Sequence, residues 1–163
     1  MKFIIYIFLF INLSCKHIQI KNGNVSKQNT DFGIDLPSDP WKKVDHSDAD
    51  LLFYNQEAKA SIFINAQCKN LSDSPLSALS AQLLVGFSEI NIISQKNFTL
   101  NDREALVSEV SAKLDGVKRY LKIMVYKKDP CVYDIVLDAD SFNENINKDY
   151  EKIINSFWAR VNS

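Results

Sequence analysis

The densest group of potential ligands in this sequence is an acidic run of six residues that places three carboxylates beside one imidazole, Asp45-His46-Ser47-Asp48-Ala49-Asp50. Carboxylate oxygens at that density could hold Ca²⁺, which takes about six to eight oxygen ligands. The run lacks both the central glycine and the distal glutamate of an EF-hand loop. A solvated turn leading into an apolar strand at Leu51 explains the same residues, so we predict no metal site.

Candidates for catalysis are few. The two histidines are His17 and His46, and the chain contains no G-x-S-x-G, H-E-x-x-H, C-x-x-C or glycine-rich phosphate loop. Glu104 and Glu109 could act as general acid and base, but no pattern places them in one cleft, and exposed sheet charge accounts for both. We therefore predict no catalytic residue, no cofactor and a protein that is not an enzyme.

The first residues have the pattern of an export signal. Lys2 supplies a positive start, and Phe3 to Ile11 form an uncharged apolar stretch too short to span a membrane. The next four residues, Asn12-Leu13-Ser14-Cys15, resemble a bacterial lipobox, although Asn12 and Leu13 depart from its usual leucine and small residue. We predict a signal peptide over residues 1–14 and lipidation of Cys15. Ordinary cleavage near Ser14, with Cys15 an incidental thiol, is the alternative.

The cysteines allow one bridge. With Cys15 taken by lipid, Cys68 and Cys131 remain in a chain exported to a compartment where thiols oxidise, so we predict that these two form a disulfide. Both lie at the ends of predicted strands, and their side chains could meet if those strands are neighbours. Two buried free thiols are the alternative, because cysteine also packs well as an apolar residue.

The segment after Cys15 is polar and lacks periodicity. We therefore predict a lipidated tether over residues 15–30 and a single domain over residues 31–163, because about 130 residues suffice for one core. The net charge of −1 provides no basic surface for nucleic acid. No second apolar run approaches the length of a membrane-spanning helix, which is about 18 residues or more.

Strand patterns dominate the predicted domain. Period-two alternation predicts strands over residues 32–36, near residues 51–54 and 60–68, and from about residue 92 to residue 138. Asp115-Gly116 predicts a tight hairpin between residues 106–114 and 117–126. The first arm of that hairpin would also suit a helix, but the turn requires a partner strand.

Two helices are predicted. Ser74-Pro75 begins the first, whose apolar stripe extends to Phe87 over about four turns. A capping box over Ser141 to Glu144 begins the second, with a stripe of Phe142, Ile146, Tyr150, Ile153, Ile154, Phe157 and Val161. Strands, helix, strands and helix in this order predict an α+β fold, an antiparallel β-sheet with two packed helices.

The order of these elements and a few local motifs carry a resemblance to a known fold. The motifs are F-x-I-x-L-P from Phe32 with Trp41 after it, the Asp115-Gly116 hairpin and the strand Cys131-Val132-Tyr133-Asp134. This pattern resembles the PsbP-like fold, which is shared by the PsbP extrinsic subunit of photosystem II, a Ran-binding nucleotide-release factor and DcrB-type bacterial lipoproteins. The resemblance implies a scaffold for accessory or binding functions and carries over no site residue.

Together these features predict a membrane-anchored lipoprotein of the bacterial cell envelope that faces the periplasm or the exterior. Its domain would be a non-enzymatic accessory or protein-binding domain, attached to the membrane through the N-terminal lipid, with a protein partner and no nucleic acid. The alternative function is an envelope lipoprotein that binds a small ligand or a metal, which would require a concave pocket or a cation site.

Overall fold

The computed structural model describes residues 19–46, 48–68 and 74–162. Two antiparallel sheets and two helices form the fold. The strands are β1 (Gln19–Lys21), β2 (Asn24–Lys27), β3 (Thr30–Gly33), β4 (Trp41–Val44), β5 (Leu51–Asn55), β6 (Ala60–Cys68), β7 (Ser88–Leu100), β8 (Arg103–Leu114), β9 (Val117–Lys128), β10 (Cys131–Ala139) and β11 (Trp158–Val161), and the helices are α1 (Leu76–Gln82) and α2 (Glu144–Ser156).

The larger sheet has seven strands in the order β4-β5-β6-β10-β9-β8-β7 and is covered on both faces. Alternate residues of β9 point to opposite sides: Met124 packs with α2 and the smaller sheet, whereas Ile123 packs with α1. Burial on both faces explains why apolar and aromatic residues fill nearly every position of residues 120–126 in β9 and of residues 131–137 in β10. The α+β class predicted from the sequence is confirmed, with a second sheet added.

The hairpin between β8 and β9 is the one predicted from the sequence. Asp115 and Gly116 have φ angles of 49° and 80°, and Leu114 pairs with Val117 across the turn. Both central residues of a type I′ turn require positive φ, and Asp-Gly provides this with little strain. The arm from Arg103 to Leu114 is therefore a strand, as the turn required.

The smaller sheet has the order β1-β2-β3-β11 and packs on the same face of the large sheet as α2. An aromatic cluster of Phe32, Tyr126, Tyr133 and Phe157 joins the two sheets, with ring centroids 5.4 to 6.2 Å apart. The Tyr133 hydroxyl lies 2.6 Å from the buried Thr30 hydroxyl. Four aromatic rings therefore pack together between the two sheets, and the hydroxyl pair lies beside them.

The predicted tether over residues 15–30 is wrong for residues 19–30, which belong to the domain. A turn at Asn22-Gly23, with φ angles of 48° and 77°, folds β1 back on β2, and Val25 is buried in the core. The Lys27 ammonium lies 2.7 Å from the Asp50 carboxylate and fixes β2 to the large sheet. The predicted signal and Cys15 lie outside the described residues.

The second helix begins later and ends earlier than predicted. Asn143 is its N-cap instead of Ser141, and its side-chain oxygen accepts hydrogen bonds from the amides of Asn145 and Ile146 at 2.9 and 3.4 Å. The helix stops at Ser156, because the residues that follow leave it to pair with β3 as strand β11. The predicted stripe is buried at Ile146, Tyr150, Ile153, Ile154 and Phe157, whereas Phe142 is exposed.

The first helix is half the predicted length. It covers Leu76–Gln82, has Pro75 at its N-cap without a side-chain cap, and is followed by turns that reach Gly86, whose φ is 96°. The predicted apolar residues still pack on the sheet, since Leu79 and Leu84 are buried and Phe87 is partly buried against them. Within the described residues, no helix has the length and apolar content needed to cross a membrane.

Candidate binding groove beside helix α1

A groove of about 630 Å³ lies beside the N-terminal end of α1, on the face of the large sheet away from α2. We call it the α1 groove. Its lining comes from the start of α1, from strands β7, β8 and β9 and from the turn after β9: Pro75, Leu76, Ser77, Gln95, Asn97, Arg103, Glu104, Leu106, Lys127 and Asp129.

Strand register brings the polar residues of the groove to one face. Gln95 is paired with Ser108, and Asn97 is paired with Leu106, so these side chains point to the same side of the sheet. Leu106 is buried with 5% of its surface exposed and forms an apolar floor, while Asn97 and Glu104 remain exposed above it. The groove therefore combines an apolar floor with polar walls.

Hydrogen bonds hold several of these side chains in place. The Gln95 amide donates to the Ser108 hydroxyl at 3.0 Å, and that hydroxyl lies 3.0 Å from the Ser80 hydroxyl of α1. The Asn97 amide donates to the Glu104 carboxylate at 2.7 Å. The serine pair is buried and links α1 directly to β8, so the helix wall is fixed to the sheet.

The charges of the groove are balanced, with Arg103 and Lys127 opposing Glu104 and Asp129. Amide, hydroxyl and charged groups of both signs can bind a polypeptide segment, which itself presents alternating donors and acceptors.

Glu104 and Glu109 do not form an acid and base pair. Glu104 lines the groove, whereas Glu109 accepts a hydrogen bond from the Tyr120 hydroxyl at 2.8 Å on the other face.

The acidic run after β4 is dispersed in the structure. Asp45 is exposed and lies 3.7 Å from the Lys43 ammonium, and His46 accepts a hydrogen bond from the Asp48 amide at 3.1 Å. Asp50 turns inward, where it accepts from Lys27 and from the Ala66 amide. Among the described residues, which exclude Ser47, no three potential metal ligands come together.

Cys68 and Cys131 form the predicted disulfide. They are directly paired on the neighbouring antiparallel strands β6 and β10, and the bridge closes a separation of 63 residues. Because Cys68 ends the strand that precedes the α1 segment, the bridge also fixes that end of the segment to the sheet centre. Cys15, the predicted lipidation site, lies outside the described residues.

Of the residues that line the α1 groove, the sequence analysis considered only Glu104, as a general acid or base, and it identified none as a binding residue. Ser80, Gln95, Asn97 and Ser108 are ordinary polar residues on three elements, and no local spacing distinguishes them. The alternation of β8 predicts which of its residues share a face. The register that brings β7 and α1 to that face depends on tertiary pairing and has no local signal.

Comparisons with known proteins identify the fold. No family model matches the chain, and no curated protein matches its sequence. Among solved structures, the chain is similar to cyanobacterial PsbP from Synechocystis, with 12% identity, a TM-score of 0.57 and coverage of 91% of this chain and 96% of that one.

Two further structures support the same architecture. LpqN of Mycobacterium tuberculosis, described as involved in cell envelope biogenesis, has 16% identity, a TM-score of 0.50 and coverage of 81% and 84% of the two chains. A Bacteroides thetaiotaomicron protein has 15% identity and a TM-score of 0.56, and the match covers 79% of this chain and 45% of that one. The fold is therefore PsbP-like, as the resemblance in the sequence implied.

Proposed function

We propose that this protein is a lipid-anchored accessory protein of the bacterial cell envelope, whose domain binds a segment of a partner protein in the α1 groove. The observation that carries the proposal is the groove itself, with an apolar floor at Leu106 and polar walls held by hydrogen bonds. Preformed polar side chains lower the ordering cost of binding. The PsbP-like fold, found also in an envelope protein of Mycobacterium tuberculosis, supports an accessory function outside the cytoplasm.

Anchoring rests on the sequence Ser14-Cys15 after the apolar stretch. Two or three acyl chains bind a membrane far more firmly than one, because each buried methylene contributes about 0.8 kcal/mol. We expect the mature protein to begin at Cys15, to carry acyl mass and to partition into detergent. Cys15→Ser should abolish all three properties, measured by intact mass and by phase separation. An unmodified N-terminus at another residue would contradict the anchor and leave the groove untouched.

The groove is tested by photo-crosslinking from inside it. A photoreactive amino acid at Ser77, an exposed groove residue on α1, should give a discrete adduct in intact cells. The same amino acid at Lys148, exposed on α2 on the other face, should give none. Glu104→Lys should remove the adduct, because it reverses a groove charge and breaks the bond to Asn97.

The matched control is Glu57→Lys, an equal charge change in the exposed turn between β5 and β6, which should leave the Ser77 adduct intact. Equal adducts from Ser77 and Lys148, or an adduct that survives Glu104→Lys, would show that the groove is not the binding surface. Mass spectrometry of the adduct identifies the partner.

A further inference from the structure

A second, smaller cavity lies on the other side of α1, between the C-terminal half of the helix and strands β6 and β10. Its volume is about 210 Å³. We call it the Asp134 cavity, and it is lined by Gln67, Leu79, Gln82, Leu83, Val132 and Asp134. It shares no lining residue with the α1 groove, so what it binds is independent of the function proposed above.

Asp134 is an unusual residue for the middle of a buried strand. Only 8% of its surface is exposed, yet it makes no hydrogen bond or ion pair with any residue in the described part of the chain. Asp50 is equally buried, with 9% exposed, but it accepts from the Lys27 ammonium and from the Ala66 amide. Buried polar groups are nearly always satisfied, so the unpartnered carboxyl of Asp134 requires an explanation.

The walls of the cavity indicate the shape of a group that would fit it. Leu79 and Val132 are buried and Leu83 is partly buried beside Asp134, while Gln67 and Gln82 are exposed at the mouth. The lining therefore combines three apolar side chains with two amides and one acid. The volume corresponds to about seven water molecules, because each occupies roughly 30 Å³ in the liquid. An unbranched chain of four or five heavy atoms therefore fits.

The acceptors in the cavity indicate which charged group would fit it, because each buried donor of a ligand needs an acceptor. The carboxylate of Asp134 is the one charged group in the lining, and the amide oxygens of Gln67 and Gln82 are the other side-chain acceptors. An ammonium has three donors, and two carboxylate oxygens satisfy most of them, whereas the five donors of a guanidinium would leave several buried and unpaired. A neutral ligand would leave the carboxylate itself uncompensated.

We propose that the Asp134 cavity binds a primary alkylammonium group, with the nitrogen on the Asp134 carboxylate and the alkyl stem against Leu79, Leu83 and Val132. Two sources share this chemistry, the lysine side chain of another protein and a free alkylamine. Burial raises the pKa of Asp134 to about 7, so a bound cation would compensate a carboxylate that is otherwise only partly ionised at neutral pH.

The first experiment titrates n-butylammonium chloride into the purified full-length protein at pH 8 and follows the side-chain amides of Gln67 and Gln82 by NMR. We expect saturable shifts and a fall of about one in the pKa of Asp134, followed through its carboxyl carbon. n-Pentanol, of similar length but uncharged, and sodium chloride at the same ionic strength should produce neither effect.

Variants locate the binding. Asp134→Asn keeps the shape of the side chain and removes its charge, so the variant should fold and should weaken butylammonium binding at least about tenfold. Asp45→Asn, a matched change of an exposed carboxyl that lines neither cavity, should leave binding unchanged. No saturation by butylammonium, or full affinity in Asp134→Asn, would overturn the proposal.

Peptides distinguish the two sources. A peptide with one lysine that binds more tightly than butylammonium, and loses that affinity when norleucine replaces lysine, identifies a protein side chain as the ligand. Equal affinity of the peptide and butylammonium identifies a free amine. A peptide with arginine in place of lysine should bind more weakly than either, and equal binding of arginine would overturn the choice of an ammonium.

Discussion

Replacing Phe157 with alanine is expected to lower the free energy of unfolding by about 3 to 5 kcal/mol, a large part of the stability of a domain of this size. The ring is 2% exposed and lies 5.4 Å from Tyr133, 5.6 Å from Tyr126 and 6.2 Å from Phe32, measured between centroids. Phe157 also connects the end of α2 to the start of β11. Urea unfolding, with the slope of the transition compared between variants, measures the loss.

The matched control is Phe142→Ala at the other end of α2. Phe142 is 58% exposed and makes an edge contact with Tyr120 at 5.5 Å, so its loss should cost no more than about 1.5 kcal/mol. Both residues belong to the apolar stripe read from the sequence, but only one belongs to the core. Equal costs for the two variants would mean that the packing of α2 is different from that described.

Asp134→Asn is expected to stabilise the protein at high pH and to have little effect at low pH. Burial raises the pKa of Asp134 from 3.8 to about 7 in the folded state. Between these values the folded protein binds the proton more tightly than the unfolded chain, so the stability of the wild type falls as the pH rises from about 4 to 7. A difference of about three in pKa corresponds to roughly 4 kcal/mol in the free energy of unfolding. The wild type loses this stability by pH 8, whereas Asp134→Asn does not, because asparagine does not ionise.

The measurement is the free energy of unfolding at pH 4, 6 and 8 for the wild type, Asp134→Asn and Asp129→Asn. Asp129 is exposed, so its variant should follow the pH dependence of the wild type. The two curves of the wild type and Asp134→Asn should meet near pH 4 and separate as the pH rises. A constant difference at all three pH values would show that Asp134 is not the titrating group.

Local sequence signals were sufficient for the features that depend on near neighbours. The Asp115-Gly116 turn, the alternation of β9 and the position of the two cysteines at strand ends all follow from residue types within a few positions. Even the ambiguous arm from residue 106 was resolved by the turn beside it. The antiparallel α+β class follows from these hairpins, because short turns join antiparallel strands.

Features that depend on distant partners could not be predicted in this way. Residues 19–30 are polar, and their strands are stable because Val25 and Thr30 enter a core supplied by the rest of the chain. Trp158–Val161 continues a helical apolar pattern, but it forms a strand because its backbone groups hydrogen-bond to those of β3. Tertiary context overrides local preference in both segments.

The two cavities differ in how far they could be predicted. The α1 groove joins α1, β7 and β8 through a register that no single segment encodes. Asp134 could have been singled out, because it is the one charged residue in the run Cys131 to Leu137, whose other members are apolar or aromatic. A carboxyl in such a run is either paired or functional, and that question can be asked from the sequence alone.

Strand β3 lies between β2 and β11, so that Thr30 is paired with Val161 near the other end of the chain. Synthesis proceeds from the N-terminus, and the first strands therefore emerge long before the strand that completes their sheet. Until residues 158–161 arrive, β3 has an unpaired edge and the rings of Phe32 and Tyr133 lack Phe157 above them. Chains that stop before residue 158 should therefore leave β3 without a partner on that edge, so pairing within the smaller sheet depends on residues far from it in the sequence.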